Sequence, residues 1–191
     1  VTDLSQILQN LESILNPLAV LLVAVSFISG VFMVYKGISE LKQFGQSQNQ
    51  MSRPGELAGP MVHLMVGAIL IYLPTTTDII STSIFYDAGR TVFDGNRVNI
   101  ALAGSDSAEL LSYSGGMPLE QKWQEVMTTI FHYVQFIGFV AFVRGWFILS
   151  KIGAQGGQPG NAAKGLIHVL GGIIAINVIP ALEILRNTVL G

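Results

Sequence analysis

The sequence predicts an all-α integral membrane protein, with four transmembrane helices arranged as two duplicated hairpins and an N-terminal amphipathic helix before them. Three observations carry that reading. Half of the 191 residues are hydrophobic, only 12% are charged, and mean hydropathy is +0.55; an average soluble domain carries about 25% charged residues. Four stretches are apolar and long enough to be considered as spans, since a bilayer core takes roughly 20 residues of helix. The chain also repeats itself. Gly30, Lys36, Gly37, Leu41 and Gly45 recur in spacing as Gly138, Arg144, Gly145, Leu149 and Gly153. Beyond a turn, Pro54, Gly55, Ala58, His63 and Gly67 recur as Pro159, Gly160, Ala163, His168 and Gly172. Eight residues separate Gly45 from Pro54, and five separate Gly153 from Pro159, so only the turn differs in length.

The elements follow in order. Residues 1–16 form the amphipathic helix: Leu4, Ile7, Leu8, Leu11, Ile14 and Leu15 recur at helical spacing after Asp3, a natural N-cap. It has no basic residue, which fits an interfacial lead-in better than charge-driven lipid binding. Hairpin 1 covers 17–73, with spans Pro17–Tyr35 and Leu57–Leu73. The segment 74–125 follows; its first part is able to hold a helix over Asp78–Tyr86, and Gly89–Gly116 reads as irregular loop from its Gly, Ser, Asn and Asp content. Pro118 and Glu120 suit a first helical turn, from which a helix runs through Trp123 into span three, Val126–Leu149. Trp123, His132 and Tyr133 are expected near the outer interface. Hairpin 2 covers 126–182 and ends with span four, Gly165–Leu182; a tail, 183–191, closes the chain.

Lys and Arg in short loops set orientation. Lys36, Lys42 and Arg53 fall in the first hairpin loop; Arg144, Lys151 and Lys164 fall in the second. The central segment offsets three basic residues with seven acids. Both hairpin loops therefore face the cytoplasm, with the termini and central segment outside. Small residues, with Gly30, Gly67, Gly138 and Gly172 at matching places, are the candidate packing positions, because small side chains let helices approach closely in lipid.

Little here carries chemistry. His63 and His168 occupy matching intramembrane positions, open to two readings: a proton relay or gate, or an inherited imidazole hydrogen-bonded within its own hairpin. The second is favoured, since no intramembrane acid accompanies them. Lys36 and Arg144 suit topological anchors whose long side chains reach water, or alternatively the lining of a wet passage or lipid-headgroup contacts. Gly153–Gly160 lacks the GxxxxGK pattern of a phosphate loop. There is no cysteine, no nucleophile motif and no metal-ligand spacing, so neither enzymatic activity nor a cofactor is expected. A net charge of −2 implies no nucleic-acid partner.

Two basic-looped hairpins in this length, with the stretch SKIGAQGGQPGNAAKGLIHVLGGIIAINVIP, resemble the IcmC/DotE family of the Dot/Icm type IVB secretion system, a family related to conjugation proteins of I-type plasmids. The resemblance covers the two hairpins and is most specific over Gly153–Pro180. It implies a structural component of the bacterial inner membrane in an effector-translocating machine. Its partners would be other inner-membrane and periplasmic subunits and membrane lipid, with the central segment docking a periplasmic partner. Two alternatives stand beside it: a small four-span channel or transporter, and an accessory protein that stabilises a membrane partner. Against a transporter, the sequence shows no paired intramembrane charges and no clearly broken helix, although Pro74 and Pro180 sit at matching ends.

Overall fold

The computed structural model describes residues 4–47, 57–85, 93–94, 97–98, 121–152 and 160–190. Among these, six helices account for nearly everything: α1 Leu4–Ser47, α2 Ala58–Ile71, α3 Leu73–Phe85, α4 Gln121–Leu149, α5 Gly160–Ile176 and α6 Val178–Leu190. One antiparallel ribbon, β1 Phe93–Asp94 and β2 Arg97–Val98, pairs Phe93 with Val98 and Asp94 with Arg97. Arg53, the turn 153–159 and the rest of the central loop lie outside the described residues.

Several boundaries differ from those the sequence suggests. The amphipathic segment 1–16 does not end at Pro17: α1 runs through that proline for 44 residues. Pro17 costs one backbone hydrogen bond, and the apolar residues around it continue the helix regardless. Nor does α1 end at Lys36, so Lys36 and Lys42 lie on a helix, not in a loop, and Arg144 on α4 and Lys164 on α5 differ from the expectation in the same way. Lys is a good helix former, and its charge marks an interface without marking a helix end. The expected helix in the central segment is α3, beginning at Leu73. The C-terminal tail continues the helix of α6.

Expected span four is broken inside its bounds, and expected span two, 57–73, is filled by α2 and runs into a bend at its end. The α2–α3 pair bends by 89° and the α5–α6 pair by 85°. The break residues are Tyr72 and Asn177. Pro74 and Pro180 follow within three residues; each lacks a backbone N–H and crowds the preceding turn, a familiar cause of a sharp bend. Bonds from Tyr72 N to Ala68 O (3.1 Å) and from Thr76 N to Tyr72 O (2.8 Å) carry the chain across the first break. Asn177 N to Ile173 O (3.1 Å) and Ala181 N to Asn177 O (3.0 Å) do the same at the second.

The chain divides into two compact units. One, made of Leu22–Thr76 and Val140–Gly172, has a core of Val66, Leu70, Leu73, Phe142, Val143 and Val169. The other, made of Val1–Leu21, Thr77–Phe139 and Ile173–Gly191, buries Leu15, Ala19, Ile173, Ile176 and Ile179 together with Thr77, Ser81, Thr129, His132 and Asn177.

Side-chain size is sorted against the pattern of a water-soluble globule. Along α1 the inward stripe is Leu15, Ala19, Ser26, Gly30 and Gly37, mostly small, while Ile28, Phe32 and Tyr35 are 68–69% exposed. In water, so continuous an apolar surface would be a liability; in lipid it is the favourable arrangement. The hydroxyls on α1 are satisfied inside the helix, Ser26 donating to Leu22 O (2.7 Å) and Ser29 to Val25 O (2.8 Å). Two helices, Ser13–Gln46 and Thr129–Leu149, are each long and apolar enough to cross a bilayer; the bent pairs bring the number to four if each counts as one span. This is a helical membrane protein.

Candidate functional site

The distinctive features are the faces along which helices meet. Ser26, Gly30 and Gly37 recur on one face of α1, and Pro60, His63, Gly67 and Leu70 on one face of α2, as helical periodicity requires. A β-carbon on Gly30 would stand 2.8 Å from Gly67 O and 2.9 Å from Ile71 N; one on Gly67 would stand 2.9 Å from Gly30 O. Those neighbours are backbone atoms and have nowhere to move. Two turns along, a β-carbon on Gly37 would meet Leu64 Cγ at 2.9 Å and Pro60 O at 3.1 Å.

The α4–α5 pair is closed by the same register. Gly138 faces Ala175 and Ile176 N (2.8 Å), as Gly30 faces Ile71 N. Gly145 faces Val169 N (2.7 Å) and Gly165 O (2.9 Å), the counterparts of Leu64 and Pro60 in the repeat spacing. Gly165 in turn faces Leu149 Cγ at 2.6 Å. Gly172 is buried, whereas a β-carbon on its neighbour Gly171 would meet open space. Phe142 and Trp146 pack edge to face on α4, with centroids 6.0 Å apart.

Both histidines bond to the carbonyl four residues back: His63 Nδ1 to Gly59 O at 2.9 Å, and His168 Nδ1 to Lys164 O at 2.8 Å. A carbonyl only accepts, so Nδ1 carries the hydrogen in each. They differ in one respect. His63 has an acid beside it: Glu40 Oε2 lies 3.0 Å from Nδ1, and Glu40 Oε1 lies 3.8 Å from Lys36 Nζ. The expectation that no acid accompanies the histidines is therefore wrong for His63. Glu40 lies between Lys36 and Lys42, where the sequence reads as loop, but α1 continues through it and brings it beside His63 of α2. Nδ1 has one hydrogen, and Gly59 O takes it. Glu40 Oε2 is left in charge contact, buried and without a hydrogen bond of its own. In the repeat spacing Ile148 stands where Glu40 does, and His168 is half-buried.

A second polar feature lies at the helix breaks. Asn177 Nδ2 donates to Ser81 Oγ on α3 and to Ile173 O, both at 2.9 Å. No signal in the sequence pairs residues 96 apart; an asparagine two residues before Ile-Pro at the end of an apolar stretch was the nearest hint. Lys36, Lys42, Arg144, Lys151 and Lys164 are all exposed. Among the described residues, no group of three or more His, Cys, Asp or Glu side chains is placed to hold a metal ion.

Fold and packing together define the class as a helical membrane protein built from glycine-closed helix pairs. No protein family, curated protein or solved structure gives a significant match to this chain.

Proposed function

We propose that this protein is a structural inner-membrane component of a type IVB secretion complex. In this reading the chain is one hairpin duplicated, with its spans packed among other subunits around or near the channel. The observation that carries it is the shared register of the two helix pairs. Gly37 meets Leu64 and Pro60, and Gly145 meets Val169 and Gly165, at positions matched one for one. A chain with two equivalent membrane hairpins and no enzymatic constellation suits two quasi-equivalent places in an assembly, related by an axis along the membrane normal.

Charge supports the orientation of termini outside and hairpin loops in the cytoplasm. The hairpin connections, residues 36–56 and 144–164, hold six of the ten basic residues and two of the twelve acids, as the positive-inside rule favours for the cytoplasmic side. The periplasmic contact would be made by the central segment. Gentle solubilisation of native bacterial membranes, followed by sizing and protein identification of the particle that holds this chain, tests the reading. A large particle with other secretion subunits is expected; a small homo-oligomer alone would refute it. Deleting Gly89–Gly116 from a stably inserted chain is expected to abolish assembly.

One observation favours a second reading, a small four-span channel or transporter. Both helix breaks fall at matched positions, and Thr77, Ser81 and Asn177 are buried beside them. Discontinuous helices are where transporters place polar sites. Ion flux in liposomes that is lost on replacing Asn177 would favour this reading; silent liposomes would remove it.

A further inference from the structure

The length of α2 does not match a bilayer. Its 14 residues rise about 21 Å at 1.5 Å per residue, against a hydrocarbon core of about 30 Å. The next helix cannot supply the rest, because the chain turns 89° between them. The α5–α6 pair repeats the problem: α5 has 17 residues, about 26 Å, before an 85° bend. A helix lying in the plane of a membrane sinks its apolar face about 5–10 Å into the boundary between headgroups and acyl chains. That depth, added to α2 or α5, closes the deficit.

The surfaces of the bent-off helices agree. On α6, Leu182, Leu185 and Val189 form one outward stripe, with Val189 71% exposed. Ile179 is buried, and Glu183 and Arg186 are turned part-way inward, so the stripe itself carries no charge. On α3, Thr77 and Ser81 are buried while Ile79 is 59% exposed, an inside-out arrangement that water does not favour and lipid does. The same kind of surface continues along α5 through exposed Leu166, Leu170 and Ile174.

We propose that α3 and α6 lie in the plane of the membrane, embedded in the lipid at the headgroup boundary of the leaflet reached by the ends of α2 and α5, and complete two short spans. The occupant of their exposed apolar faces is membrane lipid. The inference rests on the membrane class of the protein and stands or falls separately from the secretion reading.

The absence of cysteine makes the test direct. Leu182→Cys, Leu185→Cys and Val189→Cys are each spin-labelled in the full chain, reconstituted into vesicles of phosphatidylethanolamine and phosphatidylglycerol. Depth is read from relaxation by oxygen and by a water-soluble nickel complex. All three labels are expected at one shallow depth. A helix that crosses the bilayer would separate Leu182 from Val189 by about 10 Å of depth, and a helix held off the membrane would leave all three open to nickel; either result overturns the proposal. Oriented-bilayer nitrogen NMR of the unmodified protein, labelled at leucine and isoleucine amides, checks the answer without substitutions. Amides of α3 and α6 are expected at the perpendicular end of the shift range and those of α1 at the parallel end. A parallel signal from α6 would sink the idea even if a labelled variant failed to insert.

Discussion

The two helix pairs share a close backbone approach at Gly30 and Gly138, but they set glycine against glycine at different levels. In the α1–α2 pair the point where glycine faces glycine is Gly30 against Gly67. In the α4–α5 pair it is Gly145 against Gly165, seven residues further along the first helix in the repeat spacing. At that second level the first pair has Pro60 where the second has Gly165, and the approach is slightly looser: a β-carbon on Gly37 would meet Leu64 Cγ at 2.9 Å and Pro60 O at 3.1 Å, whereas one on Gly145 would meet Val169 N at 2.7 Å and Gly165 O at 2.9 Å. One register therefore supports two closures. Where the first pair is looser, it holds the Glu40–His63 contact. Where the second is tighter, the counterpart of Glu40 is Ile148, and apolar packing takes its place.

Alanine substitution at the two equivalent glycines is the strongest way to break this comparison. Gly to Ala gains about 1 kcal/mol of helix propensity, while overpacking costs about 1–3 kcal/mol. At Gly37 the Leu64 side chain and Pro60 O at 3.1 Å need smaller shifts, so the overpacking cost of Gly37→Ala is expected at the low end, about 1 kcal/mol, and offset by the propensity gain. At Gly145 the backbone of Val169 and Gly165 cannot yield, so Gly145→Ala is expected to lose about 1–2 kcal/mol net. Unfolding free energies in mixed detergent measure both. Equal losses would show that the two pairs are equally close, contrary to the geometry described.

The packing glycines were legible in the sequence for a physical reason. Only glycine permits backbones to come within 3 Å of a β-carbon position, so recurrence at Gly30, Gly67 and Gly138 carries contact information directly; Gly172, the fourth expected position, is buried, while the close contact at Gly145 is not among the expected packing positions. Breaks and pairings were less legible. Pro74 and Pro180 read as span ends because a proline stops a helix or bends one with the same local pattern, and which occurs depends on what the next segment packs against. Pro17 and Lys36 read as boundaries of α1 although neither ends it. Glu40 could be placed beside His63 only by knowing that α1 continues past Lys36 and with what rotation it meets α2.

The helix breaks offer a second contrast. Asn177 ties its break to Ser81 on α3, while Tyr72, at the equivalent break, is 66% exposed. Interhelical hydrogen bonds in membrane proteins average about 0.6 kcal/mol and reach about 1.7 kcal/mol. Asn177→Ala is expected to fall in that range, because it also removes the second bond to Ile173 O. Tyr72→Ala is expected to leave stability within about 0.5 kcal/mol of the parent. A loss at Tyr72 matching that at Asn177 would mean that the breaks depend on the bend alone and not on the tie.

The smallest effect is the most discriminating. Glu40→Gln leaves the bond from His63 to Gly59 O in place, and the partly exposed Glu40 is screened by water, so its coupling to His63 in a double-mutant cycle is expected to be below about 1 kcal/mol. The equivalent cycle on Ile148 and His168 is expected to give none. The informative variant moves the acid. Ile148→Glu places a carboxylate at the register position of Glu40, four residues after Arg144 as Glu40 follows Lys36. If the two pairs share rotational phase as well as glycine register, a coupling between that carboxylate and His168 appears at a size similar to the first pair. If none appears, the correspondence is confined to the glycine contacts, and the tighter closure at Gly145–Gly165 has turned α5 enough to carry His168 out of reach. Either result fixes how far the likeness between the two pairs extends from their backbones into their side chains.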